Sequence, residues 1–168
     1  MTNFFIKDIL KVKIDELIAS KAVIIGLDIG DKTVGVAVSD SRIKIASGLA
    51  TVSRNGTDRD FNFLMDAVSH YKIGLIIFGW PLQMNGLPGK QCEKTLEFTE
   101  RLSKYINADF ARWDERFSTK VVDDLMIQAD LSRKKRKKAV DQSAAVYILQ
   151  GAIDFLNRNS VLTKQDFL

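Results

Sequence analysis

Three acidic residues stand where a soluble chain has to account for them. Asp28 interrupts the most apolar stretch of the sequence, Ala22 to Ile29. A buried carboxylate with no compensation costs on the order of several kcal/mol. Asp141 shares a stripe with Ala145, Ile148, Ala152 and Phe155, at spacings of 4, 3, 4 and 3, which predicts the inward face of a helix. Glu115 follows a predicted strand in Trp113-Asp114-Glu115-Arg116, at the kind of strand end where sites of open α/β sheets gather. Oxygen-only ligands suit Mg²⁺ or Mn²⁺ and not zinc. Two such ions about 4 Å apart can clamp an in-line attack of water on a phosphodiester. Each residue also has a plainer role open to it. Asp141 could cap its helix, Glu115 could pair with Arg116 or another cation, and Asp28 could sit in a buried salt bridge.

Charge points to a polyanion. The chain carries 25 Lys+Arg against 21 Asp+Glu, a net of +4, and six of those cations form one run, Arg133-Lys134-Lys135-Arg136-Lys137-Lys138. Without the run, 19 basic residues face 21 acidic ones, so the basic character is local. A run of this kind is either a solvated loop or a nucleic-acid contact. Its position just before the helix that carries Asp141 favours the second.

At 168 residues the chain has room for one well-buried core, and 46% hydrophobic with 27% charged residues is ordinary for a globular protein. The single cysteine, Cys92, excludes an internal disulfide, and with the single histidine, His70, it excludes a Cys/His zinc site. No apolar run approaches the roughly 20 residues of a membrane span. Charges at Lys7, Asp8, Lys11, Lys13, Asp15 and Glu16 interrupt any signal-peptide core. The expected location is the cytoplasm, with no membrane partner.

The elements that must position the carboxylates follow from periodicity. Residues 1–20 read as a helical extension, with Leu10, Ile14, Leu17 and Ile18 at helix spacing. Strands are predicted over 22–29, 34–39 and 45–53, the first two as a hairpin around Gly30-Asp31-Lys32. Phe61, Leu64, Met65 and Val68 mark a helix, and 73–78 a strand that Gly79-Trp80-Pro81 breaks. A helix follows, with Leu96, Phe98, Leu102 and Ile106 among its apolar positions. Then come a strand over 108–113, a helix over 121–127, and a last helix over 140–156. Three consecutive strands followed by alternating helices and strands predict an α/β fold with a five-stranded mixed sheet, antiparallel first and then parallel.

The motifs resemble the YqgF/RuvX family of the RNase H-like superfamily, described as Holliday-junction resolvases and pre-16S rRNA nucleases. The matching stretches are Gly26-Leu27-Asp28-Ile29-Gly30 running on through Gly35-Val36-Ala37-Val38-Ser39-Asp40, then Gly79-Trp80-Pro81-Leu82 with Met84, Gly86 and Gly89. Asp114-Glu115-Arg116 and Val140-Asp141-Gln142-Ser143-Ala144-Ala145 to Ile148-Leu149-Gln150 complete the set. The resemblance spans 22 to about 157, which makes 21–168 a single nuclease domain and leaves the first twenty residues as an addition. It implies that Asp28, Glu115 and Asp141 ligate two Mg²⁺ or Mn²⁺ ions, and that Lys32 and Arg116 lie close to the substrate phosphates. The family's first turn usually reads Gly-Thr-Lys-Arg, and here it is Gly30-Asp31-Lys32-Thr33, an arginine lost and an acid gained beside the site.

The expected function is therefore a metal-dependent endonuclease that processes the 5′ end of pre-16S rRNA in ribosome biogenesis. Its partners would be pre-rRNA or branched DNA, with pre-ribosomal particles. Holliday-junction resolution in DNA recombination and repair is the first alternative, and a non-catalytic RNA-binding module the second. The chemistry fits any phosphodiester, and the basic run reads backbone charge, not bases, so RNA versus DNA stays open, as does oligomeric state. A dinucleotide site fails because Gly26, Gly30 and Gly35 lack the G-x-G-x-x-G spacing and lead into a strand. A sugar-kinase or actin-like ATPase needs a second domain for which there is no room. Trp80 and Trp113 read as wall or core, Cys92 as structural and His70 as solvated.

Overall fold

Hydrophobic runs flanked by turn residues become a single sheet in the computed structural model, which describes residues 8–56, 58–114 and 133–165, the last helix with its side chains from 144 to 160. The strands are β1 (Val23–Ile29), β2 (Thr33–Ser39), β3 (Ala46–Ser53), β4 (Ile73–Trp80) and β5 (Asp109–Asp114). They lie in the order β3-β2-β1-β4-β5. β1, β2 and β3 pair antiparallel, whereas β1–β4 and β4–β5 are parallel. This is the mixed sheet that the element order predicts, with the strand carrying Asp28 at its centre.

β1 is apolar throughout because both of its faces are covered. On one side Ile25, Leu27 and Ile29 pack with Phe61, Leu64 and Val68 of α2 (Asp58–Val68) and Cys92, Phe98 and Leu102 of α3 (Lys90–Leu102). On the other, Ile24 packs with Ala145, Ile148, Leu149, Ala152, Ile153 and Leu156 of a long helix whose range is Arg133–Gln165. The N-terminal residues join this second layer as two short pieces, a 3₁₀ turn (Ile9–Lys11) and α1 (Ile14–Ala19). With α1 counted first, the long helix is α4. Ile14 is buried in the α4 layer and Leu17 packs against it, while Ile18 is at the surface. The side chain of Leu10 lies outside the described residues.

Four boundaries differ from the expectation, each for a physical reason. β4 continues through Gly79 and Trp80 because β5 offers them partners, Trp113 and Asp114. α3 ends at Leu102, where the backbone turns at Ser103; Ile106 is still buried, from the following turn, and Leu96 is 38% exposed. α4 begins at Arg133, not at 140, and extends to Gln165, not 156. Lys, Arg and Ala are strong helix formers, so a charge run read as a loop serves equally as a helix start. The helix expected over 121–127 lies outside the described residues.

Candidate active site

Alternation along β1 sets which way the central carboxylate faces. Ile25, Leu27 and Ile29 belong to the α2/α3 layer and Ile24 to the α4 layer, so Gly26 and Asp28 share the α4 face. Asp28 is half-buried and not sealed in the core. Gly26 is the contact point of the helix. A Cβ there would lie 2.7 Å from Leu149 Cβ and 3.1 Å from the Ala145 carbonyl oxygen.

From that contact the two chains run in opposite directions. The later part of α4 lies over the start of β1 and the β2–β3 connection. There the Gln150 Oε1 accepts from the Ala46 N–H at 2.9 Å and the Asn157 side chain donates to the Ile43 carbonyl at 2.8 Å. The Ile24 N–H in turn donates to Ser39 Oγ at 2.9 Å. The earlier part of the helix therefore lies toward the end of β1. Asp28 is two residues beyond Gly26, about 6.6 Å along the strand. Asp141 is four residues before Ala145, about 6 Å back along the helix, and both steps lead to the same edge of the sheet.

Across that edge Asp28 is bracketed by glycines. It pairs with Gly35 of β2. Continuing the β1–β4 register one residue past Leu27 and Phe78 sets Gly79 level on the other side. Neighbouring strands would otherwise project side chains within about 5 Å of the carboxylate; here neither carries one. β5 reaches the same edge two strands away, with Asp114 level with Trp80.

Of the carboxylate trio, Asp28 lies in the described part of the structure. Glu115, next after the last residue of β5, and Arg116 lie outside the described residues. Asp141 has its backbone in α4, two turns inside the helix, so it is not a helix cap, the plainer role open to it from sequence. The side chains of Asp141 and of the run Arg133 to Lys138 are outside the described residues, while the backbone of the run forms the opening turns of α4 and not a loop before it. Among the described residues no three Asp, Glu, His or Cys side chains gather around one point.

The β1–β2 turn is held from both sides. Lys32 is exposed at its tip. The Lys94 ammonium of α3 pairs with Asp31 at 2.7 Å, and that hydrogen bond and charge, with a further contribution from Arg54, hold the Asp31 carboxyl below its ordinary pKa. Arg54, at the end of β3, donates to the Gly30 carbonyl and lies 4.9 Å over the Phe98 ring. Sequence reasoning passed over Arg54 and Lys94. One follows a strand paired with the turn and the other lies sixty-three residues from Asp31, so neither is adjacent to a motif.

The remaining candidates are structural. Trp80 is buried against Phe78 with Arg112 over its ring at 5.3 Å, and Trp113 meets Phe155 edge-on at 5.7 Å between centroids. Cys92 is buried and donates its thiol to the Pro81 carbonyl at 3.3 Å. His70 is exposed beyond the end of α2.

With Asp28, its glycine neighbours and the helix of Asp141 in one frame, comparison with known proteins becomes specific. The RuvX family model, described as a Holliday junction resolvase, matches residues 22–155. The chain belongs to the RuvX family. It is 47% identical over 135 residues to a protein of Clostridium kluyveri named "Putative pre-16S rRNA nuclease", covering 80% of this chain and 98% of that protein. A Desulforamulus reducens protein of the same name is 46% identical over 131 residues, covering 78% and 96%. Among solved structures, Thermus thermophilus RuvC in complex with a Holliday junction substrate overlays with a TM-score of 0.49 at 11% identity, over 81% of this chain and 96% of that one. The family match begins at residue 22, just before β1, and so excludes the N-terminal turn and α1. Among the described residues, no helix is long and apolar enough to cross a membrane.

Proposed function

We propose that this RuvX-family chain is a Mg²⁺- or Mn²⁺-dependent endonuclease that trims the 5′ end of the 16S rRNA precursor. The observation that carries the reading is the placing of Asp28. It is a half-buried carboxylate near the end of the central strand, between two glycine positions, on the face over which the helix of Asp141 runs. An acid at that position serves ligand chemistry better than packing. Asp28, Glu115 and Asp141 would hold the ions, which suits an all-oxygen donor set. Bound there, the ions would supply an activated water and charge stabilisation at the scissile phosphate. The chain's own part is to fix the carboxylates on the sheet and on the helix packed against it and to bring phosphates to them with Lys32, Arg116 and the run Arg133 to Lys138.

RNA is favoured as the substrate because the curated relatives carry the pre-16S name. Junction resolution takes two coordinated cuts, for which a symmetric dimer is the natural architecture. A side-by-side assay of the purified protein decides it, using a precursor rRNA carrying its unprocessed 5′ end and a four-way DNA junction. Mg²⁺-dependent cleavage at the 5′ end supports the proposal. Paired symmetric nicks on the junction with no rRNA cleavage would reassign the substrate. Binding without cleavage of either would leave an RNA-binding module.

A further inference from the structure

Asp31 is the residue that the nucleic-acid reading explains least, because it places a negative charge at the turn that follows Asp28. Its surroundings change the sign of that turn. Lys94 lies 2.7 Å away, Lys32 is the next residue, and Arg54 is held at the turn by its hydrogen bond to the Gly30 carbonyl. The turn with its braces thus carries three cations and one anion. These come from three separate elements: the β1–β2 turn, the end of β3 and helix α3.

The two braces differ in how firmly they are held. Arg54 is partly buried, its guanidinium over Phe98 and one donor on Gly30, so its place is set before any ligand arrives. The Arg54 N–H also donates to the Lys32 carbonyl at 2.8 Å, which ties the same residue to the turn through its backbone. Lys94 and Asp31 are more than half exposed, with side-chain exposures of 54% and 64%. An exposed ion pair of this kind is weak and exchanges readily. Gln91, one turn before Lys94 on α3, donates to the Ile29 carbonyl at 3.3 Å, so this part of the helix is anchored to β1 beside Asp28.

We propose that Arg54, Lys94 and Lys32 form a phosphate-gripping rim beside Asp28, with Asp31 as a built-in counter-ion that an incoming phosphate displaces from Lys94. The ligand is the sugar-phosphate backbone of a nucleic acid, and the proposal rests on the nuclease reading above. Arg54 offers a pre-positioned donor fork suited to phosphate oxygens, and Lys94 is the exchangeable partner. The counter-ion has a measurable signature. A free lysine that binds a phosphate releases condensed counterions, which steepens the salt dependence of binding by about 0.9 per contact on duplex and about 0.7 on single strands. A lysine already paired with Asp31 exchanges one anion for another and adds almost nothing to that slope.

The test uses the full chain with Asp28→Asn, which is expected to block turnover, and two labelled probes, a single-stranded RNA oligonucleotide and a DNA duplex. Binding is followed by anisotropy across a salt series. Adding Asp31→Asn should tighten binding about three- to fivefold at low salt and steepen the slope by up to one contact's worth. Adding Lys94→Gln to that variant should return the slope to its starting value. Arg54→Gln should weaken binding to both probes, while Arg54→Lys recovers part of the loss. Thermal melting of each variant separates a lost contact from a lost fold. An unchanged affinity and slope in Asp31→Asn would overturn the counter-ion role. Unchanged binding in folded Lys94→Gln and Arg54→Gln would overturn the rim while leaving the nuclease reading intact, because cleavage by the wild-type chain is measured separately. Failure of the wild type to bind either probe would remove both.

Discussion

Asp28 and Asp40 are both carboxylates on the hairpin that opens the sheet, and their surroundings give them opposite tasks. Asp40 ends in a nest of backbone donors. The Lys44, Ile45 and Arg42 N–H groups reach its oxygens at 2.6, 2.9 and 3.3 Å. Partial burial alone would raise its pKa, but the bonds from Ile45, Lys44 and Arg42 outweigh that and hold it below the usual carboxylate value. A group depressed on folding contributes stability that is present above its unfolded pKa, about 3.9, and lost as pH falls through the folded value. Because these bonds lie at the surface, where solvent screens the charge, Asp40→Asn should cost no more than about 1 kcal/mol near neutrality and flatten the acid limb of the stability curve below about pH 4, as read by urea denaturation across pH. An acid limb identical to the wild type's would contradict that role. Asp28, by contrast, is the metal ligand of the proposed site. Asp28→Asn should abolish cleavage while the melting temperature in metal-free buffer holds or rises, since in the proposed trio it would remove one of three mutually repelling charges. Undiminished Mg²⁺-dependent cleavage by this variant would remove Asp28 from the site.

Helix α4 is the element on which site geometry depends most, because it spans the sheet face and carries Asp141. It touches β1, β2, β3 and β4, and Gly26 lets it approach the central strand. Gly26→Ala puts a methyl group 2.7 Å from Leu149 Cβ and 3.1 Å from a backbone oxygen, so the helix has to shift. The expected cost is about 1–3 kcal/mol. Cleavage per folded molecule should fall, because in the proposed site the shift would separate Asp141 from Asp28. Parallel losses of activity and fold would mean that the contact matters for packing only. The opening turns of the same helix hold the run Arg133 to Lys138. If most of these side chains neutralise phosphates, log K should fall with log salt at a slope of up to about 5 on duplex. Replacing all six with Gln should flatten the slope, and an unchanged slope would make the run a solvated helix start.

Taken whole, the molecule presents strand ends, the β1–β2 turn and the opening of α4 at one edge of the sheet, and the proposed metal ions would be held at that edge. Mg²⁺ or Mn²⁺ should activate cleavage. Ca²⁺ should support binding with little turnover, since its looser coordination spoils the geometry two ions need. Titration of each ion into a nuclease assay after EDTA treatment checks this, and activity that survives EDTA would reject the mechanism. The first turn and α1 stand apart from that edge. They are packed on the α4 layer through Ile14, Val12 and Leu17, outside the span 22–155 that the family model matches.

The fold class and the succession of strands along the chain were legible because the evidence for them is local. A both-faces-buried strand is a continuous apolar run, a hairpin is two such runs around Gly30-Asp31-Lys32, and helices announce themselves by period. Asp28 was legible for the same reason, as an interruption in a run. Element ends were not, since β4 passes Gly79 only because β5 pairs with it, and α4 opens at Arg133 because charged residues propagate a helix as readily as they fill a loop. The turn was the hardest to read. By sequence Asp31 opposes a phosphate site. Only tertiary structure brings Lys94 and Arg54 to it from helix and strand, because a charge is balanced by whatever lies within a few ångströms in space, and the chain order says nothing of that distance.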